Sequence, residues 1–197
     1  MEDENRRSEH VPRGYTRPLD SETAARLSAY EALVRRWAST LDLVAPGELE
    51  RFGRRHLEDA LKAAPLIDDL PPGPAVDVGS GAGVPGIPLA IAARRRAWLL
   101  LEPRRKRAAF LEEVVRDLAL DHVEVRAATA GEAASESPDH VLATARALAP
   151  PATAFRLLLP LLRPGGTAIV WVGRSAELPP DAVLSSEGLA TIWKDEV

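Results

Sequence analysis

The chain predicts an α/β fold: a doubly wound, mostly parallel sheet with a two-helix cap on its N-terminal side. Three observations predict it. Strand-like apolar runs at 75–78, 97–101, 123–126, 140–144, 167–172 and 189–194 alternate with amphipathic stretches, the order that a parallel sheet with crossover helices requires. The first run passes straight into a glycine-rich turn that opens a helix, as the first strand of such sheets does. Finally, Pro71-Pro72-Gly73-Pro74 separates this alternating part from a purely helical segment.

Residues 1–20 are rich in charge, hold two prolines and a glycine, and lack apolar periodicity, which predicts a flexible tail. From Ser21, Leu27, Tyr30, Leu33, Val34, Trp37 and Leu41 recur at helical spacing, so a first cap helix runs to about residue 41. Pro46-Gly47 breaks it, and a second helix is expected from about residue 48 through Phe52, His56, Ala60 and Leu61 toward Pro65. Residues 21–70 are thus read as a helical cap and 71–197 as the core. Within the core, helices are predicted at 87–93, 104–118 and 151–162, with Pro164-Gly165-Gly166 as a turn before the strand at 167–172. The alanine-rich stretch at 127–134 gives no clear signal.

Composition narrows the function classes. The 197 residues fit one compact domain with a helical appendage. There is no cysteine, which excludes disulfides, thiolate metal sites and cysteine nucleophiles, and no metal site is expected. No apolar run is long enough to cross a bilayer and no secretory signal is visible, so a cytoplasmic location is expected. The net charge of −4 is unevenly placed: residues 1–107 carry 18 Lys/Arg against 16 Asp/Glu, whereas 108–197 carry 7 against 13. The front half is the side expected to meet a polyanion.

Chemistry concentrates in residues 76–86, Val-Asp-Val-Gly-Ser-Gly-Ala-Gly-Val-Pro-Gly. Alternate glycines permit positive φ and leave room for backbone N–H groups to approach a ligand. The acid lies inside the motif, as Asp-x-Gly-x-Gly-x-Gly, unlike the Gly-x-Gly-x-x-Gly of dinucleotide loops. A carboxylate there repels a pyrophosphate but suits an ammonium and a sulfonium, which points to S-adenosyl-L-methionine. Asp77, Gly79, Ser80, Gly81, Gly83 and Pro85 are the candidate cofactor-binding residues. Glu102 ends the second strand about twenty residues on, where an acid can accept hydrogen bonds from ribose hydroxyls. Arg94 to Arg107 hold seven basic residues and one acid on both sides of that strand, and Arg104 and Arg105 are candidate phosphate contacts. Tyr30, Leu33 and Trp37 are expected in the core rather than as a base-stacking platform.

The residues now carry a resemblance. Arg55-His56-Leu57-Glu58-Asp59-Ala60-Leu61, the run from Asp77 to Ala90 with its Gly-Val-Pro-Gly-Ile-Pro-Leu-Ala, the stretch from Leu101 to Leu111, and Ala145-Arg146-Ala147-Leu148-Ala149-Pro150 resemble the RsmG (GidB) family, in the right order over most of residues 25–175. The resemblance implies a Rossmann-like class I methyltransferase that transfers a methyl group to guanine N7 of 16S ribosomal RNA in the small ribosomal subunit. It implies that Arg146 faces the donor or the guanine and acts in catalysis, that Arg55 and His56 contact substrate, and that Ala128 and Thr129 occupy the adenine side.

The chain departs from the family pattern in several places. Asparagines of the first cap helix are absent from 37–44, the Asp-Ser that ends the Arg-His motif is Asp59-Ala60, and the Arg-Ala-Glu after the third strand reads Thr129-Ala130-Gly131. The family usually ends with another strand carrying a lysine, and Val172-Gly173-Arg174 stands where Lys-Gly is usual. A missing final hairpin is therefore expected, leaving an open sheet edge through which two copies could pair as a homodimer. Two other readings stay open: a divergent paralogue that methylates a small molecule or another RNA, and a donor-binding, ribosome-associated protein without activity.

Overall fold

The computed structural model describes residues 19–45, 47–135, 139–173 and 175–195, and of Arg54 the backbone only. Most of the predicted tail and Arg174 therefore lie outside the described residues. The cap begins with α1 (Ser21–Leu41), whose N-cap Asp20 accepts a hydrogen bond from the Thr23 N–H. The second cap helix is not the continuous one expected. A 3-10 turn (Leu49–Arg51) leads into a π-helical turn (Gly53–Leu57), followed by α2 (Glu58–Leu61) and α3 (Ala64–Asp68). Packing explains the break. At Gly53 the backbone passes so near α1 that a methyl group there would lie 2.6 Å from the Glu31 carboxylate, and Pro65 suits only the first turn of a new helix.

The core follows as β1 (Ala75–Val78), α4 (Gly86–Ala92), β2 (Trp98–Leu101), α5 (Arg105–Asp117), β3 (Val123–Arg126), α6 (Ala130–Ala134), β4 (His140–Arg146), α7 (Pro151–Leu158), β5 (Leu162–Trp171), β6 (Val183–Leu184) and β7 (Leu189–Trp193). The sheet order is β3-β2-β1-β4-β5-β7-β6. The first five strands are parallel, while β7 runs antiparallel between β5 and β6. The crossovers after β1 and β4 go to opposite sides of β1, which makes a topological switch point there.

Two expectations are corrected and one unassigned stretch gains an element. The strand predicted at 167–172 starts at Leu162, because Gly165 and Gly166 exchange backbone hydrogen bonds with Lys194 and so extend the ladder. The unclear stretch contains α6, closed by a Thr129–Glu132 capping box. The final hairpin is present: Gly188, at φ +78°, turns β6 into β7, and the Ser185 hydroxyl oxygen accepts from the Glu187 and Leu189 N–H groups. The sheet edge on that side is therefore a strand of two residues.

Leu27, Tyr30 and Val34 of α1 pack in one hydrophobic cluster with Ile87 and Ile91 of α4 and with Phe110, Leu111 and Val114 of α5. On the other face of the sheet, α6 and α7 cover Val76, Val78, Ala143 and Val170. Arg96, nearly buried, donates to the carbonyls of Pro71 and Gly73 and so fixes the proline-rich link between cap and core.

Candidate active site

In the parallel register Val78 lies beside Leu101 and Asp77 beside Thr144, so β1, β2 and β4 deliver their C-terminal ends to one edge of the sheet. The glycine loop begins there. The Gly79 and Ser80 N–H groups donate to the Leu101 carbonyl at 2.8 and 3.1 Å, and the Gly83 N–H donates to the Ser80 carbonyl at 2.6 Å. Ser80 is buried and its hydroxyl donates to the Asp77 carbonyl, so its N–H and O–H are both used inside the protein.

The glycines differ in what surrounds them. A methyl group on Gly83 (φ +102°) would lie 2.8 Å from Ile87 and 2.9 Å from the Tyr30 hydroxyl, and one on Gly86 would lie 2.5 Å from Leu100. Both positions serve helix and sheet packing. On Gly79 (φ +70°) the obstacle would be the Leu148 side chain, at 2.6 Å. Only Gly81 (φ +57°) is open, its nearest neighbours being the Gly79 carbonyl oxygen at 3.8 Å and Arg107 at 4.0 Å. Pro85 is buried as the N-cap of α4.

Asp77 is fully buried and accepts a 2.7 Å hydrogen bond from the Thr144 hydroxyl on Oδ1. Among the described residues its Oδ2 has no hydrogen-bond partner. Burial pushes its carboxyl up from 3.8 to about 6, against the lowering effect of the nearby Ser80 hydroxyl, the Thr144 hydrogen bond and the Gly86 N–H. Glu102 braces the loop: Oε2 accepts from the Gly81 N–H and Oε1 from the Arg104 N–H, both at 2.9 Å. Each carboxylate oxygen retains a further acceptor position.

The cap supplies the opposite wall. Arg146, at the end of β4, lies 3.5 Å from Asp59 Oδ2. Asp59 also pairs with Lys62 at 2.8 Å, and its carbonyl accepts from Trp171 Nε1 at 2.9 Å. Arg55 is exposed and pairs with Glu48 at 2.7 Å. His56 Nε2 lies 3.4 Å from the other Glu48 oxygen but outside hydrogen-bond geometry, and burial, with Arg146 adding to it, lowers its pKa and favours the neutral ring.

The basic run divides in two. Arg104, Arg105 and Lys106 are exposed at the same strand edge as the loop, and Arg107 donates to the Asp42 carbonyl at 2.6 Å. Arg94 and Arg96 instead sit before β2, at the other end of a strand roughly 13 Å long. Arg94 pairs with Glu22 at 2.6 Å and Arg96 is nearly buried, so these two act in the architecture. Ala128 and Thr129 follow β3 beside the Glu102 end of β2, where the Thr129 hydroxyl and N–H are both bonded to Glu132. A cleft of about 450 Å³, lined in part by Trp98, His122, Glu124 and His140, opens at the opposite, N-terminal end of the strands.

Sequence reading did not single out Tyr30, Asp59, Arg107, Thr144 or Leu148 as parts of this site. A threonine in the middle of an otherwise apolar buried strand was the available signal for Thr144.

A family model described as rRNA small subunit methyltransferase G (GidB) matches residues 23–179. The chain belongs to the GidB family. It is 41% identical over 159 residues to ribosomal RNA small subunit methyltransferase G of Granulibacter bethesdensis, covering 81% of this chain and 72% of that protein. It is 39% identical over 166 residues to the protein of that name from Stenotrophomonas maltophilia, covering 82% and 76%. With the Clavibacter sepedonicus protein identity is 41% over 143 residues, covering 72% of this chain and 65% of that one. The matched part of this GidB chain thus spans 65–76% of the length of these three relatives.

Among solved structures, a methyltransferase from Geobacter sulfurreducens superposes with a TM-score of 0.57 at 17% identity, covering 91% of this chain and 93% of that one. A variant of MtNAS crystallised with S-adenosylmethionine gives a TM-score of 0.57 at 18% identity, covering 87% and 74%. At such identity the likeness is one of fold alone, a Rossmann-like parallel sheet with helices on both faces. In this GidB chain Asp59 and Arg146, from motifs far apart in sequence, meet across the cap and core.

Proposed function

We propose that this chain transfers a methyl group from S-adenosyl-L-methionine to N7 of a guanine in 16S ribosomal RNA, with the small ribosomal subunit as its partner and the cytoplasm as its compartment. The observation that carries this reading is a single sheet edge in a GidB chain that presents the open Gly81, Glu102 and Arg146 together.

The residues fit such a donor. Gly81 leaves its surface bare, Glu102 retains acceptor positions for ribose hydroxyls, and Asp77, buried beneath the loop, adds negative charge that suits a nearby ammonium. Ala128 and Thr129 border the adenine side through backbone and van der Waals contact, since the Thr129 polar groups are used in the cap of α6. The bound donor supplies an electrophilic methyl carbon on a sulfonium.

Guanine N7 carries a free lone pair. Its bond to the methyl carbon forms as the carbon–sulfur bond breaks onto sulfur, and the positive charge passes to the base. No proton leaves, so no general base is needed, and alignment with exclusion of water supplies the acceleration. Arg146 holds the guanine through O6, exchanging its 3.5 Å contact with Asp59 for the base. Arg55, Arg104 and Arg105, all exposed, hold RNA phosphates, and His56 lines the cap wall as a neutral ring. In this reading residues 21–70 form the lid that shapes RNA access. A homodimer would have only the short β6 for pairing along that edge of the sheet.

The test is transfer of a labelled methyl group to small subunits that lack the modification, followed by digestion to nucleosides. Label is expected in 7-methylguanosine. Arg146→Ala should lower transfer at least about a hundredfold while changing donor affinity by less than about threefold. Label in another nucleoside, or none with the donor bound, overturns the substrate; equal losses of transfer and affinity overturn the role of Arg146.

A further inference from the structure

We propose that Tyr30 is a positioning residue for the donor loop, so that the cap is part of the cofactor site as well as a wall for substrate. The inference rests on the donor reading above but concerns a contact of the chain with itself. Tyr30 belongs to α1, is fully buried, and donates a 2.6 Å hydrogen bond from its hydroxyl to the Ala82 carbonyl. The next peptide nitrogen, that of Gly83, donates to the Ser80 carbonyl at 2.6 Å. The peptide unit between Ala82 and Gly83 is therefore held at both ends, by the cap on one side and by the loop itself on the other. This unit adjoins Gly81, the one loop glycine that is open to a ligand.

Several contacts fix the phenol in place. Its ring packs edge-on to Phe52 at 5.9 Å, and Phe52 lies 5.3 Å from the His56 ring. The hydroxyl would be 2.9 Å from a methyl group on Gly83, so a side chain there would displace the phenol from the loop. Burial, reinforced by Asp77, raises its pKa well above 10, which keeps the group a donor at physiological pH. Phenylalanine would fill the same volume, so the hydroxyl oxygen is what distinguishes tyrosine here, and its use is the loop carbonyl. A loop fixed before the ligand arrives loses less freedom on binding.

The experiment compares Tyr30→Phe with Trp37→Phe. The second removes another hydrogen bond between cap and core, from Trp37 Nε1 to Glu113 at 3.1 Å, that does not touch the loop. S-adenosylhomocysteine affinity is measured by calorimetry, and hydrogen exchange of the Gly81–Gly83 amides is measured without ligand. Tyr30→Phe is expected to weaken binding about five- to tenfold and to speed exchange of these amides by a similar factor, with Trp37→Phe leaving both within about twofold. If Tyr30→Phe binds as well as the parent, if Trp37→Phe weakens binding equally, or if loop exchange is unchanged, the positioning role is wrong. If the parent itself gives no heat, the donor reading fails, and the exchange comparison alone decides the role of Tyr30.

Discussion

Gly81 and Gly83 stand two residues apart and face different surroundings. Gly83 is pressed against Ile87, Leu111 and Tyr30, whereas Gly81 faces open space beside Arg107. The sequence showed that glycines were needed but not which ones served packing, because the contacts that separate the two cases include Tyr30 of α1 and Leu111 of α5, both distant in sequence. Asp77 was legible as an acid within the motif; its burial and its bond to Thr144 depended on the β1–β4 register. Its titration follows from that burial. A carboxyl raised from 3.8 to about 6 means that the unfolded chain holds fewer protons between these values, so stability falls as pH rises through the window. The contribution is fully present below about pH 4 and lost above about pH 6, a swing on the order of 3 kcal/mol for about two pH units. Asp77→Asn cannot titrate, so denaturant unfolding should show that variant gaining on the parent by up to that amount between pH 4 and pH 7. A difference that stays constant with pH contradicts it.

At the scale of elements, the parallel strands and their crossover helices were legible because period and turn residues agree along the core. The second cap helix was not. Its apolar spacing is helical, but the close approach of Gly53 to Glu31 and the position of Pro65 cut it into short turns, and these are tertiary effects. Strand β6 was too short to leave a pattern. The end of α5 carries a prediction of its own. Leu118 caps the helix, Ala119 follows at φ +47°, its N–H donates to the Arg116 carbonyl, and the Leu120 N–H reaches the Val115 carbonyl. This is a Schellman motif with alanine where glycine is preferred. Ala119→Gly should raise unfolding free energy by about 0.5–1 kcal/mol in denaturant titration, since left-handed backbone costs a residue with Cβ about 1–2 kcal/mol and glycine's greater freedom in the unfolded chain offsets about 0.4–1 kcal/mol of the gain. A loss of stability would show that the strain is absent.

Across the whole molecule, one apolar cluster runs from α1 through α4 and α5 to the sheet, so cap and core are bound by the same interior. The sequence reading divided them at the proline-rich link, where composition changes, and could not see that Arg96 fastens that link from inside. The basic run was read as one surface because its residues are neighbours in sequence. A parallel strand sends its flanks to opposite ends of the sheet, leaving Arg104, Arg105 and Lys106 at the loop. The proposed function requires that the bare main-chain loop after β1 grip the adenosyl donor. Calorimetric titration of S-adenosylhomocysteine into the parent and into Gly81→Asp is the test. Saturable binding to the parent and at least a hundredfold loss in the variant, at unchanged secondary structure, are expected, because the new carboxylate would fill the open space beside Gly81. Equal affinity in both proteins would contradict it.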